Sequence, residues 1–134
     1  MMYMKILEVK TNKKIEFIDI TNQIEKIIKE EDIKNGICYL FIPHTTAGIT
    51  INENADPSVK EDIINTLNKI VPEDLDYEHL EGNSPAHVKS SLVGHSEIIF
   101  IENGKLALGI WQGIFLCEFD GPRKRKVYIK IIER

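Results

Sequence analysis

Apolar and polar residues alternate from residue 3 to residue 10, which predicts a strand. Thr11-Asn12-Lys13 supplies turn chemistry before a second run, Lys14 to Ile20, and the two read together as a hairpin. The period then changes. Ile20, Ile24, Ile27 and Ile28 follow a helical spacing while Glu25, Lys26, Lys29 and Glu30 fall on the other face, so a helix capped by Thr21 or Asn22 is expected. Asn35-Gly36 ends that region, and Ile37 to Ile42, an unbroken apolar run closed by Pro43, reads as an interior strand buried on both faces.

A short strand, Ile49 to Asn52, precedes a second helix that Asp56 caps, Pro57 begins and Pro72 stops, with Val59, Ile63, Leu67 and Ile70 as its inner stripe. Residues 72–84 form an acidic loop. Ser84 then reads as the N-cap and Pro85 as the first position of a short helix whose Val88 and Leu92 turn inward. Beyond it, Glu97 to Glu102 and Lys105 to Ile110 flank Asn103-Gly104, a type I′ hairpin signal. Ile114 to Phe119 and Lys126 to Ile132 are the closing strands.

The chain has 134 residues, one domain's length, enough to bury roughly two thirds of its unfolded surface. Hydrophobic residues at 43% and charged ones at 28% suit a soluble globular protein, and no apolar run approaches the ~20 residues of a membrane span. The first ten positions mix acid and base, unlike a secretory signal, so a cytoplasmic protein is expected. Cys38 and Cys117 sit among apolar neighbours and read as buried reduced thiols. A net charge of −4 argues against a nonspecific nucleic-acid binder. The local exception, Arg123-Lys124-Arg125-Lys126, reads as a solvated turn or a charged edge guarding a sheet, with anion binding as the other reading.

Candidate chemistry concentrates between His79 and Gly94, which hold two histidines, a carboxylate, an amide, a lysine and three serines. His87 falls in the first turn of the predicted helix, where backbone N–H groups and the helix dipole favour an anion, and Ser91 lies one turn on. Lys89 and Ser90 are near enough to help hold a phosphate or carboxylate. The alternative is a surface loop whose polar residues face water. His44, at the end of a buried strand and followed by Thr45 and Thr46, is either a rigidly held site element or a cap on the sheet edge. Asn52 and Glu53 stand where a strand meets a helix and suit the task of orienting a histidine ring through its other nitrogen. Trp111, beside Gln112 and Gly113, either joins the core or walls a pocket and stacks on a planar ligand. No P-loop or Gly-x-Gly-x-x-Gly occurs, and Gly94-His95-Ser96-Glu97-Ile98 lacks the second glycine of a nucleophile elbow.

Several blocks together resemble the YjbQ family, also called UPF0047. They are Pro43-His44-Thr45-Thr46-Ala47, Asn52 to Pro57, Tyr77-Glu78-His79, Glu81-Gly82, Ala86 to Ser91, and Gly109 to Ile114 with Glu118. The resemblance implies a single α+β domain over residues 1–134, with antiparallel sandwich-like sheets, two main helices and one short helix. It also implies a homotrimer and a secondary thiamine-phosphate synthase activity: hydroxymethylpyrimidine diphosphate condenses with a thiazole phosphate and diphosphate is released.

Carried onto this sequence, the resemblance places His44, His79 and His87 as ligands of a divalent metal. Three imidazoles suit Zn2+, whereas Mg2+ prefers oxygen. His44, His87, Lys89 and Glu53 become catalytic candidates, with Asp56 and Glu118 as further candidate bases. Thr45, Asn52, Ser90, Ser91, Trp111, Gln112 and Arg123 would bind the phosphorylated heteroaromatic substrate. Charge developing on the departing diphosphate calls for cations or N–H donors, which Lys89, the helix start at Pro85 and Arg123 can supply. The competing readings are another metal-assisted reaction on a small phosphorylated substrate and a noncatalytic trimeric binder of an anionic metabolite. Neither involves nucleic acid or membrane.

Overall fold

The computed structural model describes residues 2–134. In chain order the elements are β1 (Met2–Lys10), β2 (Glu16–Asp19), α1 (Thr21–Glu30), β3 (Gly36–Phe41), β4 (Ala47–Glu53), α2 (Pro57–Ile70), α3 (Ser84–Val93), β5 (Ser96–Glu102), β6 (Lys105–Leu106), β7 (Gln112–Glu118) and β8 (Lys124–Glu133). They form a five-stranded sheet, β1-β8-β3-β5-β6, and a three-stranded sheet, β2-β7-β4, with every pairing antiparallel. The architecture is thus α+β, as the family resemblance implies.

Side-chain alternation explains the layering. On β7, Ile114 and Leu116 enter the core between the sheets, with Ile49 from β4 and Val127, Ile129 and Ile131 from β8. Phe115 and Cys117 point the other way and join Phe17, Ala86 and Phe119 under α2 and α3. Ile24 and Ile28 of α1 are fully buried, so its predicted stripe is right, but the cap is not Thr21 or Asn22. Asp19, two residues upstream, accepts the Thr21 backbone N–H at 2.9 Å instead. Asp56 caps α2 by accepting from the Ser58 N–H at 2.9 Å, and Pro57 opens that helix as expected. Both cysteines are buried free thiols, and among the described residues no helix is long and apolar enough to cross a membrane.

Several expectations give way to tertiary pairing. β1 and β2 are not a hairpin: β1 pairs with β8 and β2 with β7, in different sheets. β3 is interior to its sheet but buried on one face only, because Tyr39 and Phe41 look outward with no layer above them. Asn103 and Gly104 both carry the positive φ of a type I′ turn, yet β6 lasts two residues before the chain crosses to the other sheet. α3 starts at Ser84, one residue early, with Asn83 in the cap position. Its inward face is Pro85, Ala86, Lys89 and Ser90, while Val88 and Leu92 are exposed, as is Ile70 of α2.

Candidate functional site

At one end of the sandwich a cleft of about 470 Å³ opens among Pro43, His44, Thr45, Thr46, His79, Glu81, Asn83, His87, Arg123 and Arg125. Three segments converge there. The β3–β4 loop brings His44 through Thr46, the loop into α3 and that helix's first turn bring His79 through His87, and the β7–β8 loop with the start of β8 brings the arginines.

The floor is a buried ion pair. Glu118 ends β7 and Arg125 lies on β8, and both face the space between the sheets, where they are 0% and 3% exposed. Arg125 donates from Nε to Glu118 Oε1 at 2.8 Å and from Nη2 to Glu118 Oε2. Nη2 also reaches Thr46 Oγ1 at 2.8 Å. Its Nη1 makes no hydrogen bond among the described residues, and it is not among the sealed, unpartnered side-chain atoms, of which Asn83 Oδ1 is the one found. Arg125 is one of the residues that line the cleft. Two residues earlier, Arg123 repeats the arrangement at the rim, donating from Nε to the Asp120 carbonyl at 2.7 Å and from Nη2 to Asp120 Oδ2 at 2.9 Å. Partial burial works against ionisation of Asp120, but hydrogen bonds from Asn83 and Arg123 prevail and hold its carboxyl below the ordinary value.

The histidines do converge, though not as one ligand set. His79 and His87 stand edge to face with ring centroids 5.3 Å apart. His44 Nε2 accepts the Lys126 backbone N–H at 2.9 Å, which assigns its remaining proton to Nδ1. Burial, then the charge of Arg125, lowers the His44 pKa, so the ring is a neutral donor at neutral pH. Among the described residues no group of three His, Cys, Asp or Glu side chains is placed to hold a metal ion. The predicted His44, His79, His87 metal centre therefore does not fit these residues, because the nitrogen His44 would offer is already engaged and a main-chain donor stands in front of it.

Other predicted site residues lie elsewhere. Lys89 is 1% exposed and points under α3 toward α2, donating from Nζ to Asn68 Oδ1 at 2.6 Å. Ser90 is buried and donates to the Thr45 carbonyl at 2.6 Å, so it holds the β3–β4 loop and does not face the cleft, while Ser91 donates to the His87 carbonyl at 2.9 Å. Asn52 and Glu53 pair with Gly113 and Gln112 at the far end of the three-stranded sheet. There Gln112 Oε1 accepts the Gly109 N–H at 2.7 Å, and Trp111 is exposed. The length of β7 puts that corner about 20 Å from Glu118 within one chain. His44, Thr45, His79, His87 and Arg123 meet in the cleft. Thr46, Asn83 and Arg125 were missed. Arg125 had a signal inside the basic run: it is in phase with Val127, Ile129 and Ile131, the inward positions of β8.

Comparison with known proteins agrees along nearly the whole chain. A family model described as UPF0047 protein YjbQ-like matches residues 5–134. A UPF0047 protein of Methanocaldococcus jannaschii is 60% identical over 125 residues, covering 93% of this chain and 91% of that one. The Bacillus subtilis UPF0047 protein YugU is 51% identical over 130 residues, covering 96% and 98%. Among solved structures, a YjbQ/UPF0047 family protein from Clostridium acetobutylicum superposes with a TM-score of 0.92 at 56% identity, covering 96% of this chain and 99% of that one. A protein of unknown function from Sulfolobus solfataricus, described as YbjQ-like, gives 0.94 at 34% identity, covering 100% and 99%.

Proposed function

The chain belongs to the UPF0047 YjbQ-like family, and from that premise we propose that its cleft serves a thiamine-phosphate synthase type of reaction. In that reaction a thiazole-phosphate ring nitrogen bonds to the exocyclic carbon of hydroxymethylpyrimidine diphosphate as the C–O bond to diphosphate breaks, and the bonding pair leaves with diphosphate. What the protein must supply is donors for the leaving anion, fixed before charge develops.

The observation that supports this reading is the pair of arginines, each held by its own carboxylate. Arg125 is locked by Glu118 and Thr46 where it lines the cleft, while Arg123, on the same lining, is tethered by Asp120. Because the protein itself fixes both forks, little reorganisation accompanies the arrival of charge. His79, His87 and the neutral His44 add N–H groups to the same wall. Lys89 takes no part, since burial under α3 directs it away. No step is assigned to a metal, because the donor set does not fit one.

Diphosphate release from the two phosphorylated precursors tests the reading. The wild-type protein should release diphosphate above the buffer rate, and Arg125→Met should lower kcat by roughly 100-fold or more, the usual cost of removing one such donor. A folded wild-type protein that binds inorganic diphosphate but gives no rate would leave a noncatalytic anion binder. One that neither binds nor turns over would remove both readings.

The working unit in this proposal is a homotrimer. The outer face of the five-stranded sheet supports it: Met4 and Ile6 on β1, and Tyr39, Phe41, Ile98 and Phe100 on the adjacent β3 and β5, are between 38% and 62% exposed, with β8 between the two groups. A bare apolar patch of this kind marks an interface. Copies of the same chain are the proposed occupants.

A further inference from the structure

We propose that Thr11, which lies outside the cleft wall, is a positioning residue that sets the anion affinity of both arginines. It is 1% exposed and sits just past the last β1–β8 pair, Lys10 with Lys124, so it meets Arg123 where the ladder ends. Its hydroxyl donates to Glu118 Oε1 at 2.8 Å and lies 3.0 Å from the Arg123 carbonyl. The same oxygen accepts the Arg123 backbone N–H at 2.8 Å, and the Thr11 N–H donates to the Arg123 carbonyl at 2.9 Å.

A hydroxyl has one proton and two acceptor sites. The charged carboxylate, which is also the nearer oxygen, takes the proton, and the oxygen remains free to accept from Arg123. One group therefore ties the main chain of the rim arginine to the carboxylate that fixes the floor arginine. The crowding around it is specific. A Cβ added at Gly121 would stand 2.9 Å from Thr11 Oγ1 and 2.2 Å from the Lys13 carbonyl oxygen, so this close approach requires glycine there. Removing the hydroxyl leaves Glu118 Oε1 bound only by Arg125 Nε and takes the acceptor from the Arg123 backbone N–H, leaving the Thr11 N–H on the Arg123 carbonyl as the remaining tie. Both forks keep their carboxylates but lose a support behind them, while the residues that touch the ligand stay unchanged.

This inference rests on the reading of the cleft as an anion site, and the experiment separates the two. Binding of inorganic diphosphate is measured by calorimetry for the wild type, Thr11→Val and Thr11→Ser, alongside the exchange rate of the Arg125 Nε–H NMR signal. Thr11→Val should weaken diphosphate roughly tenfold and speed Nε–H exchange, the effect of losing a hydrogen bond to a charged group. Thr11→Ser, which keeps the hydroxyl, should stay within about twofold of the wild type. Unchanged affinity and unchanged Nε–H exchange in Thr11→Val would overturn the proposal, whatever happens to its melting temperature. If the wild type fails to bind diphosphate, the anion reading of the cleft falls. The Nε–H comparison still decides whether Thr11 governs Arg125.

Discussion

Replacing Glu118 by glutamine keeps the side chain's shape and removes its charge. In the wild type its two oxygens receive Arg125 Nε, Arg125 Nη2, the Thr11 hydroxyl and the Asp120 N–H, the last at 3.0 Å. In Glu118→Gln one oxygen becomes an NH2 group that must face an existing donor, and a guanidinium 3% exposed is left without a counter-charge. Breaking a buried pair from one side costs about 3–5 kcal/mol. For a chain of this length that lowers the urea midpoint by roughly 2 M and the melting temperature by roughly 10–15 °C. Arg125→Met should cost a similar amount, since it strands the carboxylate. The double variant Glu118→Gln/Arg125→Met removes both charges and should recover at least about a third of the summed losses, a coupling of about 2–3 kcal/mol or more. Urea unfolding of all four proteins closes the cycle. Strict additivity, or a Glu118→Gln cost below about 1 kcal/mol, would refute the claim that the cleft floor is a coupled, desolvated pair.

Lys89, His44 and Phe100 each carry a further expected outcome. Lys89→Met should leave diphosphate binding unchanged and hold or raise stability by up to about 1 kcal/mol, because the ammonium is buried against a single neutral amide; a large loss of binding would return Lys89 to the site. The His44 pKa is lowered from its ordinary 6.5, so its contribution to stability is present above that value and lost as pH falls through the lowered one. Between about pH 7.5 and about pH 5 the wild type should lose more melting temperature than His44→Gln, and equal losses measured by calorimetry would contradict the assignment. Phe100→Glu places a charge on the bare sheet face and should shift the protein from trimer to monomer in light scattering; a wild type that is already monomeric would exclude the assembly proposal.

Local chemistry made much of the chain legible. The Asp56-Pro57 start of α2, the stop at Pro72, the isoleucine stripe of α1 and the Asn103-Gly104 turn depend on a few adjacent side chains and one backbone conformation, so sequence specifies them directly. His79 and His87 could be named because polar residues cluster around them, His44 because it ends a buried strand, and the family resemblance joined the three histidines and Arg123 into one site. Lys89 misled because only the helix's true inward face, decided by packing against α2, reveals which way the residue points. Asn52, Glu53, Trp111 and Gln112 misled for another reason: nothing along the chain says that antiparallel β4 and β7 carry them to the opposite end from Thr46 and Glu118. Thr11 looked like turn chemistry and became the contact among three distant segments.

The sequence by itself therefore determined where most strands and helices lie, the buried stripe of α1 and the capped start of α2, and which family the chain resembles. These are short-range properties of spacing, capping and turn formation. Only the tertiary structure decided which strands pair, which face of the five-stranded sheet stays bare, and that an inward-phased arginine meets an inward-phased glutamate beneath the histidines. Pairing and register are settled by burial summed over the whole sandwich, and a site assembled from residues 11, 44, 87, 118 and 125 is a consequence of that sum.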